Sequence, residues 1–182
     1  RVISCSGKKD RVKDITRQLK RMKINCAEMH SDLSQADRDD VMYRFKAGQV
    51  DVLVATDIVS RGIDIDDIRI VLNYDVPHDA EDYVHRIGRT ARADRDGVAI
   101  TFVSEAEIFK FQEIERFLGY EVTQDYSLFD EDSELVTERK IYILDKDMVN
   151  IYAEYDANSM DYIMVHAMYN LWHEETLKAY NN

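Results

Sequence analysis

Two cysteines, one proline and no long apolar run limit what this 182-residue chain can be. Cys5 and Cys26 lack metal-type spacing, and each lies in an apolar stretch. They read as buried, reduced thiols in a cytosolic protein, so a cytoplasmic location is expected. No run of 18 apolar residues occurs, and no membrane span is expected. The opening RVISCSGKKD lacks the charged, apolar and small-residue order of a secretory signal. It also lacks an initiator methionine, so the chain reads as a fragment. There is no internal repeat or low-complexity segment. Apolar residues make up 45% of the chain, enough for a real core and against global disorder. The length suits one domain of ordinary size with an appendage.

Several catalytic signatures are also missing. No G-x-x-x-x-G-K-[ST] phosphate loop is present. Neither HExxH nor a His/Cys cluster points to a metal, so no metal site is expected. A G-x-S-x-G nucleophile elbow is absent. These 182 residues do not assemble a complete catalytic site.

The formal charge is −12 and unevenly spread. Residues 1–50 hold 12 basic and 7 acidic residues, net +5; 51–122 hold 8 and 16, net −8; 123–182 hold 4 and 13, net −9. Such a balance argues against indiscriminate nucleic-acid binding. It leaves room for a local basic surface, which is what matters at a Debye length of about 8 Å. Lys9, Lys13, Arg17 and Arg21 recur every four residues opposite an apolar face. That stripe suits a nucleic-acid backbone and equally suits an ordinary solvated face.

What is present alternates between two periods. RVISCS, 24–29, VDVLVAT, IRIVLNYD and GVAITFV read as strands. Val12, Ile15, Leu19 and Met22 mark one helix face. Ser34 and Asp37 form a capping box before Val41, Met42 and Phe45, and Gly48 stops that helix. Asp79 and Asp82 open another helix after Pro77, ended by Gly88. Ser104 and Glu107 cap a last one carrying Ile108, Phe111, Ile114 and Leu118, ended by Gly119. The pattern predicts an α/β fold, a parallel sheet with helices on both faces and function at the carboxyl ends of the strands. Composition changes near residue 123. No Gly or Pro follows Gly119, and seven of eleven tyrosines lie at 126 or beyond. DYSLFDEDSE reads as an acidic linker and RKIYIL as a strand. Asp145 opens a short helix through Tyr155, and Ser159 opens a longer one with a packing stripe at Met160, Met164, Ala167 or Met168, and Leu171.

Two stretches carry chemistry. In VATDIVSRGIDI, residues 54–65, the residues Thr56, Asp57, Ser60, Arg61 and Asp64 crowd a turn after a buried strand. Such residues meet a ligand there or simply hydrogen-bond the turn itself. In HRIGRTARADRDG, arginines recur at 86, 89, 92 and 95. Arg86 suits a helix C-terminus, where the dipole favours positive charge. Arg89 and Arg92 have no such simple reason, and paired guanidiniums suit a polyphosphate. Arg95 has acidic neighbours to balance.

Together, ATDIVSRGIDI and NYDVPHDAEDYVHRIGRTAR resemble the second RecA-like domain of DEAD-box ATP-dependent RNA helicases, across about residues 1–122. HRIGRTAR is similar to their motif VI and ATDIVSRGIDI to motif V; VISCSGKKD stands where motif IV belongs, and SDLSQADRDDVMYRFK is similar to the segment after it. The resemblance implies that Arg92 is the arginine finger, that Arg89 contacts the phosphates beside it, and that Asp64 contacts the ATP ribose. It implies RNA-backbone contacts from Arg38, Thr56 and the loop at Gly7 and Lys8, and coupling of the two sites by Arg61 and His85. ATP is the implied cofactor, with Mg2+ held by an N-terminal RecA-like domain that, with RNA, is the expected partner. The expected function is therefore the second half of an RNA helicase, inactive as an ATPase alone. The alternatives are a non-enzymatic RNA- or protein-interaction fragment, with 123–182 as the protein-binding element, and half of a DNA helicase. Cys5, Ser4, Ser31, Ala91 and Asp94 depart from the family's usual aromatic, apolar residue and three glycines, respectively. The arginines are intact. The helix that ordinarily precedes motif IV is missing, and the resemblance does not extend to 123–182, which is not the basic Gly/Arg-rich tail of some relatives.

Overall fold

The computed structural model describes residues 1–57, 68–88, 98–124, 140–144 and 160–181. In chain order the elements are β1 (Val2–Ser6), α1 (Lys9–Arg21), β2 (Cys26–Met29), α2 (Gln35–Lys46), β3 (Val52–Thr56), β4 (Ile70–Asn73), α3 (Ala80–Ile87) and β5 (Val98–Val103). A 3-10 turn (Glu105–Glu107), α4 (Ile108–Leu118), β6 (Thr123–Gln124), β7 (Lys140–Leu144) and α5 (Met160–Asn181) follow. The sheet order is β2-β3-β1-β4-β5-β7-β6. Its first five strands are mutually parallel; β7 runs antiparallel to β5, and β6 to β7. The chain leaves β1 to one side and reaches β4 on the other. Such a switch in winding direction opens a crevice at the strands' carboxyl ends.

Side chains alternate across the pleat, so each strand feeds two layers. Val2, Val52, Val54, Ile70, Leu72, Ile100 and Phe102 meet Val12, Ile15 and Leu19 of α1 on one face. Ile3, Cys5, Leu53, Ala55 and Val71 meet Val41 and Phe45 of α2 on the other. Val103 joins Tyr83, Phe111 and Ile114 under α3 and α4. Both cysteines are buried and neither is in a disulfide, and burial pushes the Cys26 thiol up to about 11.

The helix signals read from sequence are met at two caps. The Ser34 hydroxyl accepts from the Asp37 amide at 3.1 Å, and the Asp79 carboxylate accepts from the Asp82 amide at 2.8 Å. Two details differ. Ser104 makes no cap; its hydroxyl donates to Glu107, whose other oxygen accepts from the Val76 amide at 3.3 Å, and a 3-10 turn precedes α4. Gly88 ends α3 without a left-handed turn (φ −65°), and a Cβ there would lie 3.1 Å from the Val84 carbonyl oxygen. Met22 falls at the C-cap of α1 and is exposed.

The C-terminal segment enters the same architecture. The expected strand RKIYIL forms β7 against β5. Met164, Met168 and Leu171 are buried, with Ala167 packed beside them. Trp172 is only 3% exposed, its ring 5.1 Å from that of Phe102, and Tyr169 completes the cluster at 6.0 Å. The acidic linker and the helix expected at 145–155 lie outside the described residues. Among the described residues no helix is long and apolar enough to cross a membrane.

The basic stripe on α1 is largely paired. Lys9 and Lys13 donate to the two oxygens of Asp32 at 3.0 and 2.6 Å, and Arg17 bonds Asp14. The bonds from Lys13 and Lys9 hold the Asp32 carboxyl at about 2, below its ordinary value. The same pairing holds the Lys13 ammonium above its ordinary value. The solvated-face reading of the stripe therefore fits Lys9, Lys13 and Arg17.

Trp172→Ala should lower unfolding stability by about 3–5 kcal/mol in urea titration, the cost of emptying a large aromatic site. The folded carboxyl of Asp32 is depressed, so its contribution is complete above the unfolded value of about 4 and is lost as pH falls towards 2. Carbon-detected NMR titration should place the midpoint near 2, and Lys13→Ala should move it towards the ordinary carboxylate range. Both groups are exposed, so added salt should shrink the difference.

Candidate functional site

The carboxyl ends of β3, β1 and β4 lie side by side: Ser6 is in register with Thr56, and Cys5 with Asn73. Polar residues gather where these strands run out. Ser6, Thr56, Asn73 and Thr101 are all buried. Asn73 donates to Thr101 at 3.0 Å, which satisfies both inside the sheet.

Arg86 is the centre of this edge. Tyr83 and Arg86 are three residues apart on α3, so they share its inward face. Arg86 is 2% exposed. Its Nε and Nη2 form a fork onto the two oxygens of Asp57, the Nη2 bond being 2.7 Å. Its Nη1 donates to the Asp75 carbonyl oxygen at 3.0 Å and to Asn73 Oδ1 at 3.3 Å. Burial opposes the Arg86 charge, but the bonds and charge of Asp57, with Asp75 nearby, outweigh it and hold its pKa above the ordinary value. One side chain thus joins the ends of β3 and β4 to α3.

Asp75 reaches back to β1. Its carboxylate accepts from the Ser6 hydroxyl and, at 3.1 Å, from the Gly7 amide, and lies 3.6 Å from Arg86 Nη2. Glu107 sits beyond it. Burial, followed by the charge of Asp75, pushes the Glu107 carboxyl up. None of Ser6, Asn73, Asp75 or Glu107 was singled out as a site residue from sequence. The available signal was the polar run NYD ending a buried strand.

Arg38, on α2, is half-buried and donates to the Ser31 carbonyl oxygen at 3.2 Å; its Nε is buried without a hydrogen-bond partner among the described residues. Ser31 follows His30, whose Nδ1 accepts from the Asp32 amide at 3.2 Å. His30 Nε2 lies 3.2 Å from Glu28 Oε2 but makes no hydrogen bond among the described residues. Thr56 ends β3, next to Asp57. Gly7 and Lys8 are exposed between β1 and α1, and Lys8 forms the α1 N-cap position. His85 is exposed on α3 beside the buried Arg86. The structure therefore places Thr56, Gly7 and Lys8 at the adjacent carboxyl ends of β3 and β1, and His85 beside Arg86 on α3, with Arg38 on α2. Arg61, Asp64, Arg89 and Arg92 lie outside the described residues. Arg86 itself is a correction of emphasis: it is a buried tie between strands as well as a residue at a helix end, where the dipole also favours it.

Comparison with known proteins identifies the architecture. The family model of the helicase conserved C-terminal domain matches residues 1–94. The chain is 39% identical over 123 residues to the ATP-dependent RNA helicase eIF4A of Lodderomyces elongisporus, which covers 68% of this chain and 31% of that protein. Among solved structures, a DEAD box protein from the hyperthermophile Methanococcus jannaschii superposes with a TM-score of 0.63 at 37% identity, over 66% of this chain and 33% of that one. Saccharomyces cerevisiae Dbp5 bound to RNA and ADP BeF3 superposes with a TM-score of 0.62 at 34% identity, over 65% and 32%. The chain spans about a third of the length of the curated relatives it matches. The family match, the five parallel strands and these neighbours together show that the chain belongs to the helicase conserved C-terminal domain family, as the C-terminal RecA-like domain of a DEAD-box RNA helicase.

Proposed function

We propose that this chain forms the second half of an ATP-dependent RNA helicase, delivering arginines to a nucleotide held mainly by an N-terminal RecA-like domain. The observation that carries this reading is Arg86, buried against Asp57 at the strands' carboxyl edge. It fixes the end of α3, and Arg89 and Arg92 follow Gly88 by one and four residues. A chain of four residues spans at most about 14 Å, which limits how far from Gly88 either backbone can be. In this reading Arg92 stabilises the charge that spreads over the transferring phosphoryl group, and Arg89 neutralises the phosphates beside it. A guanidinium fork fits phosphate oxygens, and the Asp64 carboxylate fits a ribose diol as hydrogen-bond acceptor. Mg2+ belongs to the other domain.

RNA contact falls to Lys8, the Gly7 amide loop, Thr56 and Arg38, which present one charge each at two places and small polar groups between them. Such a set grips a phosphate backbone and carries no base code. In the same reading Arg61 and His85 couple RNA contact to the phosphate-contacting arginines. Two buried cysteines outside any disulfide support a reducing, cytoplasmic setting.

The four arginines should separate cleanly by experiment. In the whole enzyme, Arg92→Ala should abolish RNA-stimulated ATP hydrolysis while RNA affinity stays within a few-fold and the melting temperature is unchanged; persisting hydrolysis would remove the finger assignment. Arg86→Ala should instead cost about 3–5 kcal/mol of stability, because it strands a partly buried Asp57. This chain by itself should show no RNA-stimulated ATPase, since it carries no phosphate loop; measurable turnover would overturn that.

A further inference from the structure

Asp75 touches both halves of the proposed machinery without belonging to either. Its carboxylate accepts the Ser6 hydroxyl and the Gly7 amide at the end of β1, while its carbonyl oxygen accepts Arg86 Nη1 at 3.0 Å. Gly7 lies between two carboxylates: a Cβ built there would be 3.8 Å from Asp57 Oδ2 and 3.9 Å from Asp75 Oδ1. The backbone carrying Asp75 is itself held on both sides. The Tyr74 amide donates to the Cys5 carbonyl oxygen at 3.0 Å, and the Val76 amide to Glu107 at 3.3 Å. The Asp75 side chain is 17% exposed, so its bonds to β1 are little diluted by water.

We infer that Asp75 is a positioning residue that fixes the Gly7–Lys8 loop for RNA and ties it, through Arg86, to the helix preceding the arginines. The inference rests on the proposed RNA role of that loop. The physical argument is directional. A carboxylate that accepts a backbone amide sets where that amide points, and hydrogen bonds to charged groups are the stronger kind. Arg86 takes its orientation from Asp57 and from the Asp75 backbone together. A shift of the β1 loop is therefore felt at α3, and a shift of α3 at the loop. This juxtaposition needs no motion of the sheet.

The test uses the whole enzyme with Asp75→Ala and Asp75→Asn. Alanine removes the acceptor from both Ser6 and Gly7. Asparagine keeps one acceptor for the Gly7 amide, and its amide can donate to the Ser6 oxygen. Asp75→Ala should raise the RNA concentration for half-maximal ATPase about tenfold, as expected for losing one hydrogen bond to a charged group, with kcat at saturating RNA within about threefold. Asp75→Asn should recover most of that loss. An unchanged half-saturation in Asp75→Ala, or a fall confined to kcat, overturns the inference. So does Asp75→Asn performing as poorly as Asp75→Ala, because the acceptor would then not be the property that matters. Lys8→Ala separates the two levels: if it leaves RNA affinity unchanged, the RNA role of the loop is wrong. Amide exchange at Gly7 in this chain, slowed by Asp75 and faster in Asp75→Ala, tests the Asp75 tie on its own; no difference overturns it.

Discussion

A guanidinium with 2% of its surface exposed has to be compensated, and Arg86 is compensated from three directions: Asp57 after β3, the Asp75 carbonyl after β4, and Asn73 within the sheet. Moving a charge of this kind out of water costs several kcal/mol, and its partners roughly offset that cost without a large surplus. A pair of apolar side chains of similar volume would hold α3 to the sheet about as well. What apolar packing does not supply is direction. The fork onto Asp57 admits one orientation, and the bonds to residues 73 and 75 fix the height of the helix end above the strands. Gly88 follows within two residues, and its close approach to the Val84 carbonyl leaves little room for a side chain. The segment bearing Arg89 and Arg92 therefore departs from a defined point.

The sheet beneath that point depends on a second constraint. Parallel strands are buried on both faces and need a layer on each. α1 covers part of one face, and Ile100 and Phe102 of β5, in the same cluster as Val12, Ile15 and Leu19, also meet Met164, Met168, Tyr169 and Trp172 of α5. The family match stops at residue 94, before β5 begins. So α5, which lies outside that match, helps close the layer on this face of the sheet. β7 extends this by pairing with the outer edge of β5, where an uncovered strand would present unpaired backbone groups.

Local order was legible from sequence wherever a residue answers to its near neighbours. The boxes Ser34–Asp37 and Asp79–Asp82 formed because a short side chain and an amide three residues on are enough to define a cap. Strand positions followed from β-branched runs, and the Met stripe of α5 from its three-and-four spacing. Ser104 failed as a cap because Glu107 is engaged by the Val76 amide, 31 residues away. Arg86 was read from its position at a helix end, yet its three-residue spacing from Tyr83 already placed it on the inward side. Its partner, 29 residues earlier, was not readable, since nothing in one sequence says which carboxylate meets which guanidinium. The same holds for Asp32, whose bonds to Lys9 and Lys13 turned half of an apparent phosphate-tracking stripe into an ion-pair cluster.

These pairings also reconcile a formal charge of −12 with the phosphate-facing edge of the proposed function. Asp32, Asp57 and Asp75 all lie just past strand ends, where a negative charge would repel a nucleic-acid backbone if left alone. Each is engaged instead: Asp32 by two lysines, Asp57 by Arg86, and Asp75 by a hydroxyl, an amide and the neighbouring guanidinium. The fields of such close pairs fall off faster than those of single charges, and at physiological salt little extends past about 8 Å. What a phosphate meets at this edge is then set by individual groups, the Lys8 ammonium and the Arg38 guanidinium among them. Net charge governs how often a polyanion arrives; the placement of a few donors governs whether it stays. In the proposed function, an acidic chain can therefore hold a backbone at this edge while repelling it elsewhere.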